Sequence, residues 1–298
     1  MSAPAVRTAP RPLVARPVPI GWRSGAVLTI ASVAGLAMFT WPLLMAPAAT
    51  PSSHSPTAPL AFVLILPIVV AIVLAELVDG GIDTKALAML GVLSAIGAAL
   101  RPLGAGTAGI ETIFFLLVLA GRVFGPGFGF ALGATTMFAS ALITAGVGPW
   151  LPFQMMAAAW VGAGAGALPG RGRSRGGPSR SSGGRGELAL LAAYGAVAAY
   201  AYGALLNLSF WPYAIGPQTE LSFVAGAPVQ ENLHRFALFT VGTSSAGWDT
   251  GRAMTTAIAV VLTGPAILSA LRRVARRARF EPAPREVAAQ WSSASQAA

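Results

Sequence analysis

The sequence predicts an all-α, polytopic membrane helix bundle of about eight spans. Three observations predict it. About eight apolar runs, each close to the ~20 residues that cross a hydrocarbon core, lie between residues 25 and 272. Only 10% of the residues are charged and 55% are hydrophobic, whereas a soluble domain carries about 25% charged residues. The arginines, finally, gather in alternate connections between the apolar runs, the pattern that orients a membrane protein.

The runs cover residues 25–46, 58–78, 84–103, 109–124, 126–147, 151–168, 187–211 and 251–271. Residues 1–24 form a Pro- and Arg-rich tail expected to be disordered. The first run is preceded by arginines and followed by Met45-Ala-Pro-Ala-Ala49, so it reads either as a span or as a signal peptide with its cleavage site. Its length favours a span. Pro67 and Pro265 fall inside runs and predict kinks. The third run carries Gly91, Ala95 and Ala99, the fifth Gly129 and Gly133 and then Ser140 and Thr144, and the sixth Gly162 and Gly166. Small residues four apart share a helix face and let two backbones approach closely. In the fifth and sixth runs this predicts packing within the chain. In the third, packing and the docking of a partner are both open.

The stretch 169–186, rich in Gly, Ser and Arg, predicts a flexible basic linker. The seventh run is decorated by Tyr194, Tyr200, Tyr202, Asn207 and Trp211, which need partners inside a bundle. A long connection, 212–250, follows, of which 231–247 is apolar enough for an interfacial or partly inserted helix. Residues 276–298 are polar and expected to be loose.

Charge sets the orientation. With the N-terminus in the cytoplasm, that side receives 17 of the 20 Lys and Arg residues and the other side three, Arg101, Arg235 and Arg252. The expected location is therefore a bacterial cell (inner) membrane, multi-pass, with both termini cytoplasmic. The predominance of Arg over a single Lys, Lys85, with abundant Ala, Gly and Pro, points to a GC-rich bacterial genome. The net charge of +10 lies in tails and connections, so it does not predict nucleic-acid binding.

Function is sought among polar residues stranded on the far side. Arg101 ends the third run against the charge rule, and Glu111 begins the fourth. They either pair across the short glycine-rich loop between them or present charge to a ligand, because an ionisable residue near the membrane is costly. Trp150 and Gln154 lie in the turn between the fifth and sixth runs. Asn207 and Trp211 lie near the outer end of the seventh. These six residues, Arg101, Glu111, Trp150, Gln154, Asn207 and Trp211, are the candidate binding set. Glu231, His234 and Asp249 of the 212–250 connection come next. Asp249 reads first as a helix N-cap or as a partner of Arg252.

Much chemistry is missing from the sequence. There is no Cys, hence no disulfide or thiolate. No zinc-protease, phosphate-loop or nucleophile-elbow motif occurs. With two His and ten carboxylates, none convergent, neither a metal site, a cofactor nor a catalytic residue is expected.

The run Gly121-Arg-Val-Phe-Gly-Pro-Gly-Phe-Gly-Phe130, the small-residue helix 131–146, the turn Gly146-Val-Gly-Pro-Trp-Leu-Pro-Phe-Gln-Met155 and Trp160-Val-Gly resemble the substrate-binding S component of energy-coupling factor (ECF) vitamin transporters. The nearest likeness is to branches that include cobalamin-type members. Trp211-Pro212 and Trp248-Asp249-Thr250-Gly251-Arg252 resemble an actinobacterial subgroup. The resemblance covers about residues 84–275. It implies a six-helix substrate-binding core there, preceded by two added helices in 25–83. It implies capture of a small micronutrient at the extracellular face, and docking on a membrane coupling subunit driven by two cytoplasmic ATPases. The family's Ala-x-x-x-Ala docking motif matches Ala95 and Ala99, with Gly91 one step earlier. The added helices and the long 212–250 connection depart from the family pattern. Two other functions stay open: a membrane enzyme acting on a lipid-linked substrate at the outer face, and a ligand-free scaffold.

Overall fold

The computed structural model describes residues 21–44, 70, 71, 74, 75, 84–104, 108–169, 184–214 and 219–277. The expectations for the two tails, the 170–183 part of the linker, Pro67 and most of the second run fall outside the described residues. Within them the chain is all-helical, with no strand.

Helix α1 spans Trp22–Phe39 and is followed by a short turn, Trp41–Leu44. Helix α2, Thr84–Leu100, tightens into a 3-10 turn at Arg101–Leu103. Pro102 has no N–H to give to the carbonyl four residues back, which ends the α-helical ladder there. Helix α3 is Phe114–Phe124 and α4 is Pro126–Ile143. Between them Gly125 takes φ 97°, a left-handed conformation open to glycine. Pro126 then starts α4 where its missing N–H costs nothing. Helix α5 is Leu151–Ala167, with Pro152 in its first turn. Helix α6 is Arg185–Ala214, with Pro212 in its last turn. Helix α7, Val229–Thr240, runs through a π-helical stretch, Val241–Asp249, into α8, Thr250–Arg277, which contains Pro265 as expected.

Five of these elements are long and apolar enough to cross a membrane: Trp22–Phe39, Thr84–Leu103, Pro126–Ile143, Arg185–Ala214 and the rod Val229–Arg276. This is the build of a membrane protein.

Two expectations need correction. The fourth run was expected to be helical from residue 109, but helix begins only at Phe114. Ala108 and Gly109 take positive φ, 41° and 75°, which no right-handed helix accepts. The connection 212–250 contains the helix expected within 231–247, but that helix does not stop before the last span. From Val229 onward the connection is helical, and the final span does not start at a cap, because the rod continues for 48 residues through Asp249.

Residues of α3 are buried almost all round, which makes it the centre of the bundle. It packs on α4, α5 and α8, while α2 lies on α4 and α6 pairs with α8. The small residues of α4 and α5 bring the two backbones together as predicted. A Cβ placed on Gly129 would overlap the Gly162 carbonyl, and one on Gly162 the Gly129 carbonyl. Gly133 abuts the Ala158 carbonyl in the same way. Ser94 Oγ and Thr135 Oγ1 share a 2.7 Å hydrogen bond between α2 and α4. Helix α1 docks outside this core. Phe39 meets Phe153 edge-on at 5.2 Å, and Trp160 Nε1 donates to Ser32 Oγ at 3.0 Å.

One end of the bundle is tied by charge. Glu187 Oε1 accepts from Arg122 Nε at 3.1 Å and from Arg272 Nη2 at 2.7 Å. Arg122 also donates to the Leu168 carbonyl at 2.8 Å. The end of α3, the end of α5, the start of α6 and the end of α8 therefore meet here. The opposite end holds the site.

Candidate functional site

At that opposite end the tip of α2, the approach to α3, the end of α4, the start of α5, the C-terminal part of α6 and the α7–α8 junction converge. Arg101 sits on the 3-10 turn. Its Nη1 donates to Ser140 Oγ at 3.4 Å and its Nη2 to Gln154 Oε1 at 3.5 Å. Both contacts are long and both acceptors are neutral. Ser140 is wholly buried and Gln154 half-buried. Two members of the candidate set, Arg101 and Gln154, are thus brought together across α2, α4 and α5.

Glu111 lies within electrostatic reach of Arg101, of Arg252 and of the Thr112 and Ile113 backbone N–H groups. Among the described residues, no ion pair within 4.0 Å involves it. Pairing of Arg101 with Glu111 across the loop, one of the two readings of these residues, is therefore not seen. The loop is closed by other means. Thr112 Oγ1 donates to the Leu100 carbonyl at 2.6 Å. Gly109 lies directly under the Trp248 backbone, and Gly251 against the Ala108 carbonyl, leaving no room for a Cβ at either.

Beside this loop is a buried ion pair. Arg252 Nη1 donates to Asp249 Oδ1 at 2.7 Å, and the Asp249 side chain is fully enclosed. Its other oxygen accepts from Ser244 Oγ at 2.9 Å and Ser245 Oγ at 3.1 Å. Gly203 of α6 abuts the carboxylate. The Arg252 guanidinium lies over Phe114 at 5.8 Å and Tyr202 at 5.1 Å, within cation–π range. Phe114 and Tyr202 meet edge-on at 4.9 Å. Asp249 is thus the partner of Arg252 and not an N-cap, because the helix passes through it.

The other candidates separate. Trp150 is exposed at the turn before α5, its Nε1 donating to the Gly146 carbonyl at 3.2 Å. It shares this end with Gln154 but faces outward, as an interfacial tryptophan does. Asn207 lies on α6 one turn beyond Gly203, and its Nδ2 is buried without a partner. Trp211 does not offer the stacking surface expected of it. Its ring is enclosed by Phe223 at 5.4 Å and Phe236 at 5.5 Å, and its Nε1 donates to the Leu221 carbonyl at 2.7 Å. It anchors the 219–223 segment to α6. Glu231 pairs with Arg235 at 2.8 Å on the surface of α7, and His234 is exposed there. Neither joins Asp249. Among the described residues no group of three metal-ligating side chains occurs.

Gly91, Ala95 and Ala99 line the exposed face of α2 together with Leu87, Val92 and Ile96. The opposite face, through Leu90, Leu93, Ser94, Gly97 and Ala98, is the buried one. A Cβ on Gly91 would meet nothing within 4 Å, so the stripe is not used for packing inside the described chain.

Sequence reasoning passed over Phe114, Ser140 and Tyr202 as site residues. Only the i, i+3 spacing of Asp249 and Arg252 pointed to part of this cluster. No family model matches the chain, and no curated protein and no solved structure matches it either.

Proposed function

We propose that the chain is the membrane-embedded substrate-binding subunit of an ATP-driven micronutrient uptake transporter of the ECF kind. It captures a small molecule at the extracellular face and docks on a membrane coupling subunit served by two cytoplasmic ATPases. The observation that carries this reading is the convergence of Arg101, Gln154 and Ser140 at one end of the bundle, Arg101 holding only long bonds to neutral oxygens. A guanidinium held so loosely suits recognition better than structure. Turnover would need an activated nucleophile or a second free carboxylate, and Asp249 is consumed by three bonds. The smooth, uncovered stripe of Gly91, Ala95 and Ala99 supports a docking face on α2.

The proposed topology has eight spans in a bacterial inner membrane, both termini cytoplasmic, and the capture end outside. It rests on the 17-to-3 division of basic residues. A cysteine introduced at Ser174 is expected to react with an impermeant maleimide only from the cytoplasm, and one at Thr219 only from outside. The reverse pattern overturns the orientation.

Binding is tested on three variants, Arg101→Ala, Gln154→Ala and Asn207→Ala, by calorimetry with the captured molecule. Each is expected to weaken affinity at least severalfold while leaving folded protein. Arg101→Ala acts most strongly, since a hydrogen bond to a charged group is worth about 1.5–3 kcal/mol against about 0.5–1.5 for a neutral one. Unchanged affinity in all three would remove the site from this end.

A further inference from the structure

The rod Val229–Arg276 leaves the α register over Val241–Asp249. Its side chains read the change independently of the backbone. On the α-helices, threonine hydroxyls turn back to the carbonyl four residues before: Thr29 to Gly25 at 2.9 Å, and Thr135 to Ala131, Thr255 to Gly251 and Thr263 to Ala259 at 2.7 Å. Thr250 instead donates to the Ser245 carbonyl, five back, at 2.6 Å. Ser244 Oγ reaches the Asp249 carboxylate, also five residues away, at 2.9 Å. At 3.6 residues per turn such groups stand about 140° apart around a helix, and only the wider π turn stacks them. Ser245, four residues from Asp249, donates to the same carboxylate oxygen at 3.1 Å and suits either register.

The two sides of this wide turn are fastened to different parts of the bundle. On the α8 side, Asp249 and Arg252 lie against Gly203, Thr250 shares a 2.7 Å hydrogen bond with Tyr200, and Trp248 and Gly251 press on Gly109 and Ala108. On the other side α7 carries the 219–224 segment with it. The Asn232 amide bonds both backbone groups of Val224, at 3.1 and 2.8 Å, and Arg235 donates to the Thr219 carbonyl at 3.2 Å. Phe223 and Phe236 of this piece cover the Trp211 ring, which is fully buried. Within the turn, a Cβ on Gly242 or Gly247 would meet nothing within 4 Å. We propose that Val241–Asp249 is a register switch and residues 219–240 the lid that it turns. Taking one residue of the wide stretch into α register rotates α7 by about 100° against α8, with about 1.5 Å of rise. That carries Phe223 and Phe236 off Trp211 and opens this end of the bundle. Ser244 holds the closed state, because its bond to Asp249 forms only in the wide register. That the opened face admits a captured molecule rests on the reading above; the switch itself does not.

The chain has no Cys, so cysteines replacing exposed Gln230 at the start of α7 and exposed Val197 on α6 take spin labels cleanly. The full chain, ligand-free in lipid nanodiscs, is read by pulsed electron double resonance. The α7 label is expected in two positions up to about 8 Å apart, the chord of that rotation on a helix about 10–12 Å across. Ser244→Ala is expected to raise the displaced population about tenfold to a hundredfold against the closed one, the range of one hydrogen bond to a charged group. Ser245→Ala removes a hydroxyl from the same carboxylate oxygen and is expected to leave the ratio unchanged. Equal shifts in both variants would make the serines plain supports of Asp249, and no shift in either would make the stretch a fixed part of the rod. Each of these results, and a shift in Ser245→Ala alone, overturns the proposal. A shift in Ser244→Ala alone, with unchanged affinity in all three variants of the calorimetry above, would keep the switch and remove only the capture reading.

Discussion

Asp249→Ala is expected to leave little folded protein. The carboxylate is fully enclosed and holds Arg252, Ser244 and Ser245 at once. Removing it strands a guanidinium between Phe114 and Tyr202, with its Nε already buried and unpartnered. Breaking a buried ion pair from one side costs about 3–5 kcal/mol, a large share of the roughly 5–15 kcal/mol that holds a domain together. The double variant Asp249→Asn, Arg252→Gln removes both charges and should recover much of the loss. Melting temperature and monodisperse yield in detergent would report both. If Asp249→Ala melts like the unmodified chain, the pair does not fasten α7 and α8 to α6.

The second large effect is expected where α4 meets α5. Gly129→Leu or Gly162→Leu puts a side chain into the partner's backbone carbonyl, and neither contact can yield by a rotamer change. Overpacking a tight core costs about 1–3 kcal/mol and sometimes more. Here the helices would have to separate along their whole contact, which places the outcome at or above that range. Gly91→Leu is the control, since nothing lies within 4 Å of the Cβ it would gain. It should melt normally. Equal damage from all three would mean that the close approach of α4 and α5 does not set stability.

Much of this fold was legible in the sequence because the bilayer simplifies the code. Apolar length marked α2, α4, α5 and α6 within a few residues and α1 and α8 more coarsely, and glycines four apart marked the α4–α5 contact. The 229–249 segment was harder. A helix over 231–247 was legible from its apolar content, but its run into the last span was not, and Asp249 read equally as a cap or as the partner of Arg252. In the fold both are helical, and the Asp249 carboxylate lies against Gly203, far upstream. Period and propensity carry no trace of such a long-range fit. The site divided in the same way. Arg101 and Gln154 were visible as polar residues stranded against the charge rule, and the structure brings them together. Trp211 was visible for the same kind of reason, but its partners Phe223 and Phe236 come from the 212–250 connection, whose packing on α6 no local pattern marks. The shift of the α3 start to Phe114 has a local cause, the left-handed Ala108 and Gly109.

The most direct test of the central claim, a capture subunit that works through a coupling subunit, is a purification of the tagged chain from its native membranes in mild detergent. The unmodified chain is expected to bring down a membrane coupling subunit and two ATPases. With Ala95→Trp or Ala99→Trp, bulk replaces the smooth, exposed stripe on α2, and close helix approach is blocked. Those subunits should then be lost while the chain itself melts as before. Recovery of the unmodified chain without any ATPase, or recovery of the same partners with both variants, would contradict the account.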